Sequence, residues 1–105
     1  MRRATTLPSR DITLDELARV FSQGRDVSRS IYGQESSYGR NAGMSVDKAY
    51  GPMQVIEPTF NRFAQQGEQW KDPQANFNVG QRMVDTFALQ YGGDPGRIAT
   101  AYFSG

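Results

Sequence analysis

Apolar residues recur along most of this 105-residue chain at the three-to-four spacing of a helix rather than the alternation of a strand. Leu14, Leu17, Val20 and Phe21 share one face, and the residues before them carry the signals of a helix start. Thr13 is placed to cap, Glu16 three residues later completes a capping box, and Ile12 and Leu17 are spaced for a hydrophobic staple. Gly24 is expected to end this helix. A second is predicted from Asp26 to Ser36, with Val27, Ile31 and Glu35 at i, i+4 and i+8 on one face. Residues 37–50 are rich in Gly, Ser and Asn and read as a loop.

Pro58 suits the first turn of a third helix that turns Phe60 and Phe63 inward. Asp72-Pro73 opens the longest helix, along which Val79, Met83, Phe87 and Tyr91 step by four until Gly92-Gly93 stops it. Asp94-Pro95 repeats that start signal, and Ile98, Ala101 and Tyr102 form the inner face of a last short helix. No strand pattern and no internal repeat are visible. The expected fold class is all-α, in one domain over residues 12–105 behind a flexible lead-in over 1–11.

Composition removes several chemistries. The chain has no cysteine and no histidine, so disulfides, thiolate metal sites and the commonest general base are all excluded. Carboxylates, hydroxyls and amides must do the work. A net charge of +1, with basic residues scattered among acids, argues against nucleic acid as a partner. The local excess at Arg2, Arg3 and Arg10 reads as a solvated tail. No apolar run is long enough to span a membrane, and the basic start lacks the apolar core of a signal peptide. At 37% hydrophobic residues, with one Trp, five Tyr and six Phe, the chain still has enough for a globular core.

Glu35 is where the local pattern and the chemistry meet. It sits in register with an apolar stripe at a helix end, where partial desolvation raises a carboxyl's pKa and keeps it protonated. An ordinary helix-end glutamate would instead bend out to water. Asp47, in the loop beside Lys48, is a candidate second carboxylate or a solvated loop residue. Glu57 is explained as a first-turn residue favoured by the helix dipole.

Three segments, Gln34-Glu35-Ser36-Ser37-Tyr38-Gly39, Ala49-Tyr50-Gly51-Pro52-Met53-Gln54-Val55 and Ala101-Tyr102-Phe103-Ser104-Gly105, resemble in order and spacing the motifs of soluble lytic transglycosylases and goose-type lysozymes. Asn76, Gly80 and the Gly92-Gly93-Asp94 turn fit as well, and the similarity runs from about residue 13 to the end. The resemblance implies a small lysozyme-like helical domain with a substrate groove. It implies a peptidoglycan lytic transglycosylase that cleaves the MurNAc–GlcNAc bond and forms 1,6-anhydro-MurNAc, with no metal and no cofactor. Glu35 and Tyr102 would be catalytic, and Ser36, Ser37, Tyr50, Gly51, Met53 and Gln54 would bind the glycan strand. In the residues alone, Ser36 and Ser37 have a second reading as helix terminators, and Tyr102 as core filler. Tyr38, Tyr50 and Trp70 are aromatic enough to stack on sugars, with core packing expected for Trp70.

Two departures stand out. Pro52 replaces the family's leucine, and Phe103 stands where the third motif has asparagine, removing a polar contact. Two alternatives follow: a lysozyme that uses Asp47 and water, and a glycan-binding or structural module without catalysis. The end of the chain directly after the third motif is expected to mark a truncation, since family members continue. Action in the periplasm or at the cell wall, within a phage virion or a secretion machine, is the expected setting.

Overall fold

A computed structural model of the chain describes residues 13–104; the lead-in, Ile12 and with it the expected staple, and Gly105 lie outside them. Four helices make the body: α1 (Leu14–Ser36), α2 (Glu57–Phe63), α3 (Pro73–Gln90) and α4 (Pro95–Ser104). Between α1 and α2 lies a short antiparallel hairpin, β1 (Ala49–Tyr50) and β2 (Val55–Ile56), that pairs Ala49 with Ile56 and Tyr50 with Val55. The architecture is all-α, as the periodicity implies, with this hairpin as its one addition among the described residues. Two-residue strands are too short to show alternation, so the sequence carries no sign of them.

The first helix starts as expected. The Thr13 hydroxyl accepts from the Glu16 N–H, and the Glu16 carboxylate accepts from the Thr13 N–H, each at 3.0 Å. It does not stop at Gly24. The predicted pair of helices is one helix of 23 residues, and Gly24 is buried in its middle. A Cβ at Gly24 would lie 3.0 Å from the Ala88 Cβ, so the glycine lets α1 and α3 approach closely. Glycine costs a helix interior roughly 1 kcal/mol relative to alanine, and tight packing offsets that cost.

Val20, Val27 and Ile31 of α1 join Val79, Met83, Val84 and Ala88 of α3 in one core, closed by Ile98 and Tyr102 of α4. Burying such a side chain contributes about 1.5–3 kcal/mol. Phe60 is buried as expected, while Phe63 is half-buried, with its ring 6.1 Å from that of Phe87. Arg82 of α3 fastens the chain after α2: one guanidinium nitrogen donates to the Phe63 carbonyl and to Glu68, both at 2.8 Å, and the other reaches Glu68 at 3.2 Å.

Helix α3 begins with Asp72 at its N-cap and Pro73 in its first turn, but the Asp72 side chain makes no capping bond. Asp94 does bond at the start of α4, where its carboxylate accepts from the Gly96 N–H at 3.1 Å. Between them, Gly92 and Gly93 take φ of 62° and 81°, which ends α3 where the sequence indicates.

Candidate active site

The last turn of α1 carries Glu35, and the chain beyond it is tightly fixed. Ser37 caps the helix with φ 51°, Tyr38 follows with φ 58°, and their N–H groups donate to the carbonyls of Gly33 at 3.0 Å and Tyr32 at 3.3 Å. Two successive side-chain-bearing residues in the left-handed region are costly, about 1–3 kcal/mol each, and surrounding contacts must hold them. The Tyr32 hydroxyl does so by donating to the Tyr38 carbonyl at 2.9 Å. The Ser36 hydroxyl does so too, donating to the Tyr32 carbonyl at 3.2 Å and accepting from the Gly39 N–H at 2.9 Å. Ser36 is buried, so of its two readings the structure displays helix termination.

The hairpin forms the facing wall. Its turn, Gly51-Pro52-Met53-Gln54, has φ of 89° at Gly51 and 50° at Gln54, and the Gln54 N–H donates to the Gly51 carbonyl at 3.0 Å. Asn76, fully buried on α3, anchors it. Its amide donates to the carbonyls of Tyr50 at 2.9 Å and Trp70 at 3.2 Å, and its oxygen faces the Met53 N–H at 3.5 Å. Gly51 is packed directly on the Asn76 side chain, and a Cβ there would overlap it. Trp70 is held from the other side, donating its indole N–H to the Val55 carbonyl at 2.7 Å with its ring edge-on to Tyr50.

Between these walls runs a groove of about 410 Å³ lined by Glu35, Asp47, Gln54, Thr59, Tyr102 and Phe103, among others. Glu35 is partly buried in it, and desolvation raises its pKa above the ordinary value of 4.5. Tyr102 is buried, and its hydroxyl donates to the Met53 carbonyl at 2.6 Å. Burial, and then the nearby charge of Glu35, push the Tyr102 phenol well above its usual range. The phenol therefore stays neutral, with its hydrogen committed to Met53. Asp47 is exposed and lines the same groove.

The sequence-expected residues divide into two groups. Glu35, Asp47, Gln54 and Tyr102 meet at the groove. Ser36, Gly51 and Met53 are buried, Ser37 belongs to the helix-ending turn, and Tyr50 packs edge-on to Trp70. Gln54 directs both of its amide hydrogen bonds to main chain, donating to the Gly43 and Gly51 carbonyls at 2.9 Å. Sequence reasoning missed Thr59, Ile56 and Met83 as lining residues. Met83 fits the α3 stripe only as core, and nothing in the local pattern marks Thr59.

A partly desolvated carboxyl at a groove wall, next to a neutral phenol, is suited to hold a proton and release it to a bound oxygen. The family model described as the transglycosylase SLT domain matches residues 22–105, from the third turn of α1 through the third motif. The chain belongs to that family. No curated protein and no solved structure matches it. Membership accounts for the lysozyme-like helical fold and assigns a lytic transglycosylase-type activity on peptidoglycan in general. Among the described residues of this SLT domain, no helix is long and apolar enough to cross a membrane.

Proposed function

We propose that the SLT domain binds a peptidoglycan glycan strand in the Glu35 groove and cleaves the MurNAc–GlcNAc bond by a non-hydrolytic route. The observation that carries this reading is the position of Glu35, in the groove and partly out of water, with its pKa raised by desolvation. Protonated Glu35 gives its proton to the glycosidic oxygen while the acetamido oxygen of MurNAc attacks C1, and the C1–O bond breaks. The Glu35 carboxylate then takes the proton of the 6-hydroxyl, whose oxygen displaces the acetamido oxygen at C1. The 1,6-anhydro ring closes, the acetamido group is restored and no water is consumed. Tyr102, neutral and tied to Met53, bounds the site beside Glu35.

A second reading has one observation in its favour: Asp47 lines the same groove as Glu35. A water activated by Asp47 would make the product a reducing sugar, as in an inverting hydrolase. Delivery within a virion or secretion machine asks the same chemistry of the groove, and the genes neighbouring this one would test it.

Mass spectrometry of fragments released from purified peptidoglycan separates the readings. Anhydro-muropeptides from the parent chain, absent with Glu35→Gln and retained with Asp47→Asn, are expected. Reducing ends that disappear with Asp47→Asn would replace this reading with hydrolysis. Binding without release by the parent chain would leave a glycan-binding module.

A further inference from the structure

Phe103 is half-exposed, at 50%, in a domain that buries most of its other aromatic rings at least in part. It lines the Glu35 groove from α4, and its ring stands edge-on to Tyr102, with centroids 5.8 Å apart and planes at 82°. Because Tyr102 is buried and bonded to Met53, the partner that orients Phe103 is itself fixed. Ala49, Val55 and Ile56 of the hairpin line the same groove, and Ile56 is 37% exposed. Glu35 and Asp47 are the charged side chains that line this space.

Such a surface selects for a particular chemistry. A phenyl face has neither donor nor acceptor, so it cannot reward a carboxylate, an amide or a hydroxyl. It rewards a flat, apolar, rigid face, which a pyranose presents where its axial C–H bonds lie together.

Resting on the reading above, we infer that Phe103 is a substrate-specificity residue whose ring stacks on the C–H face of a sugar next to the scissile bond. The contact replaces the polar one that the third motif would otherwise supply. It positions the strand by shape rather than by hydrogen bonding, and it covers the Glu35 side of the groove when the sugar is bound.

The test measures binding of peptide-free glycan strands and of chitotetraose by calorimetry, in the Glu35→Gln background so that nothing is cleaved. Phe103→Ala and Phe103→Leu are each expected to weaken binding about tenfold, and Phe103→Trp to keep it within about twofold. The leucine variant matters because it retains apolar area without a flat face. Circular dichroism is expected to be unchanged, since the ring is half-exposed, and the leucine and tryptophan variants keep the test informative should alanine unfold the helix end. Alanine binding as tightly as phenylalanine, or leucine substituting fully, overturns the stacking role while leaving the Glu35 chemistry intact. Absence of binding and of cleavage by chains that keep Phe103 overturns both.

Discussion

Tyr102 reaches back 49 positions to donate its phenolic hydrogen to the main-chain carbonyl of Met53 at 2.6 Å. The bond joins α4 to the turn of the hairpin, and residues of both line the groove. It also sets the polarity of the phenol beside Glu35, whose oxygen keeps lone pairs to offer and no free hydrogen.

Removing that hydroxyl leaves a fully buried carbonyl without its partner. Tyr102→Phe is expected to lose about 1–3 kcal/mol of stability, read from the urea midpoint. Fragment release should fall further than the stability loss accounts for, because the hairpin wall is no longer tied to α4.

The Glu35 carboxyl has a pH signature of opposite sense to an ordinary salt-bridged acid. Its folded pKa lies above 4.5, so the folded state holds the proton more tightly than the unfolded chain does. Its contribution to stability is fully present below 4.5 and is lost as pH rises through the folded value. Glu35→Gln should therefore gain stability relative to the parent as pH increases from acid to neutral. Activity should decline over the same rise, because the proton donor is being lost. A stability difference that does not change with pH would contradict this.

Glu68 behaves the other way. Its hydrogen bond from Arg82, and then that from the Gln65 N–H, hold its carboxyl below the usual range. The stability it contributes is present above 4.5 and disappears as pH falls through the lower folded value. Arg82 and Glu68 are both partly solvated, so the pair is worth no more than about 1 kcal/mol. Glu68→Gln is expected to flatten the acid limb of the stability–pH curve and to change stability at neutral pH by that amount.

Asn76 is the anchor of the hairpin. Asn76→Leu would leave the Tyr50 and Trp70 carbonyls without the amide that serves them, at about 1–3 kcal/mol for each buried group left unpaired. Gly51→Ala should be as damaging, because its Cβ meets Asn76 and its φ of 89° disfavours any side chain. Both variants are expected to lower the melting temperature and to lose fragment release, with Asp72→Ala as a mild control, because its side chain makes no capping bond.

The features legible in the sequence are those decided within a few residues. The Thr13–Glu16 capping box, the Asp94 start and the Gly92-Gly93 stop all follow from local hydrogen bonding and φ preference. The register of Glu35 with Val27 and Ile31 follows from helix periodicity, and the three motifs led from there to the family. The rest depended on contacts between distant segments. Gly24 reads as a stop until Ala88 packs against it, because a missing Cβ serves a turn and a close helix crossing equally well. Met53 reads as a cleft residue until the core takes it in, and Ser36 until the helix-ending turn uses its hydroxyl, while Gln54 stays at the groove with its amide held by Gly43 and Gly51. Phe103 reads as a lost asparagine until α4 turns it into the groove beside Tyr102. Local sequence determines which groups can bond to their neighbours, whereas burial and orientation are set by which faces meet, and only the packed chain decides that.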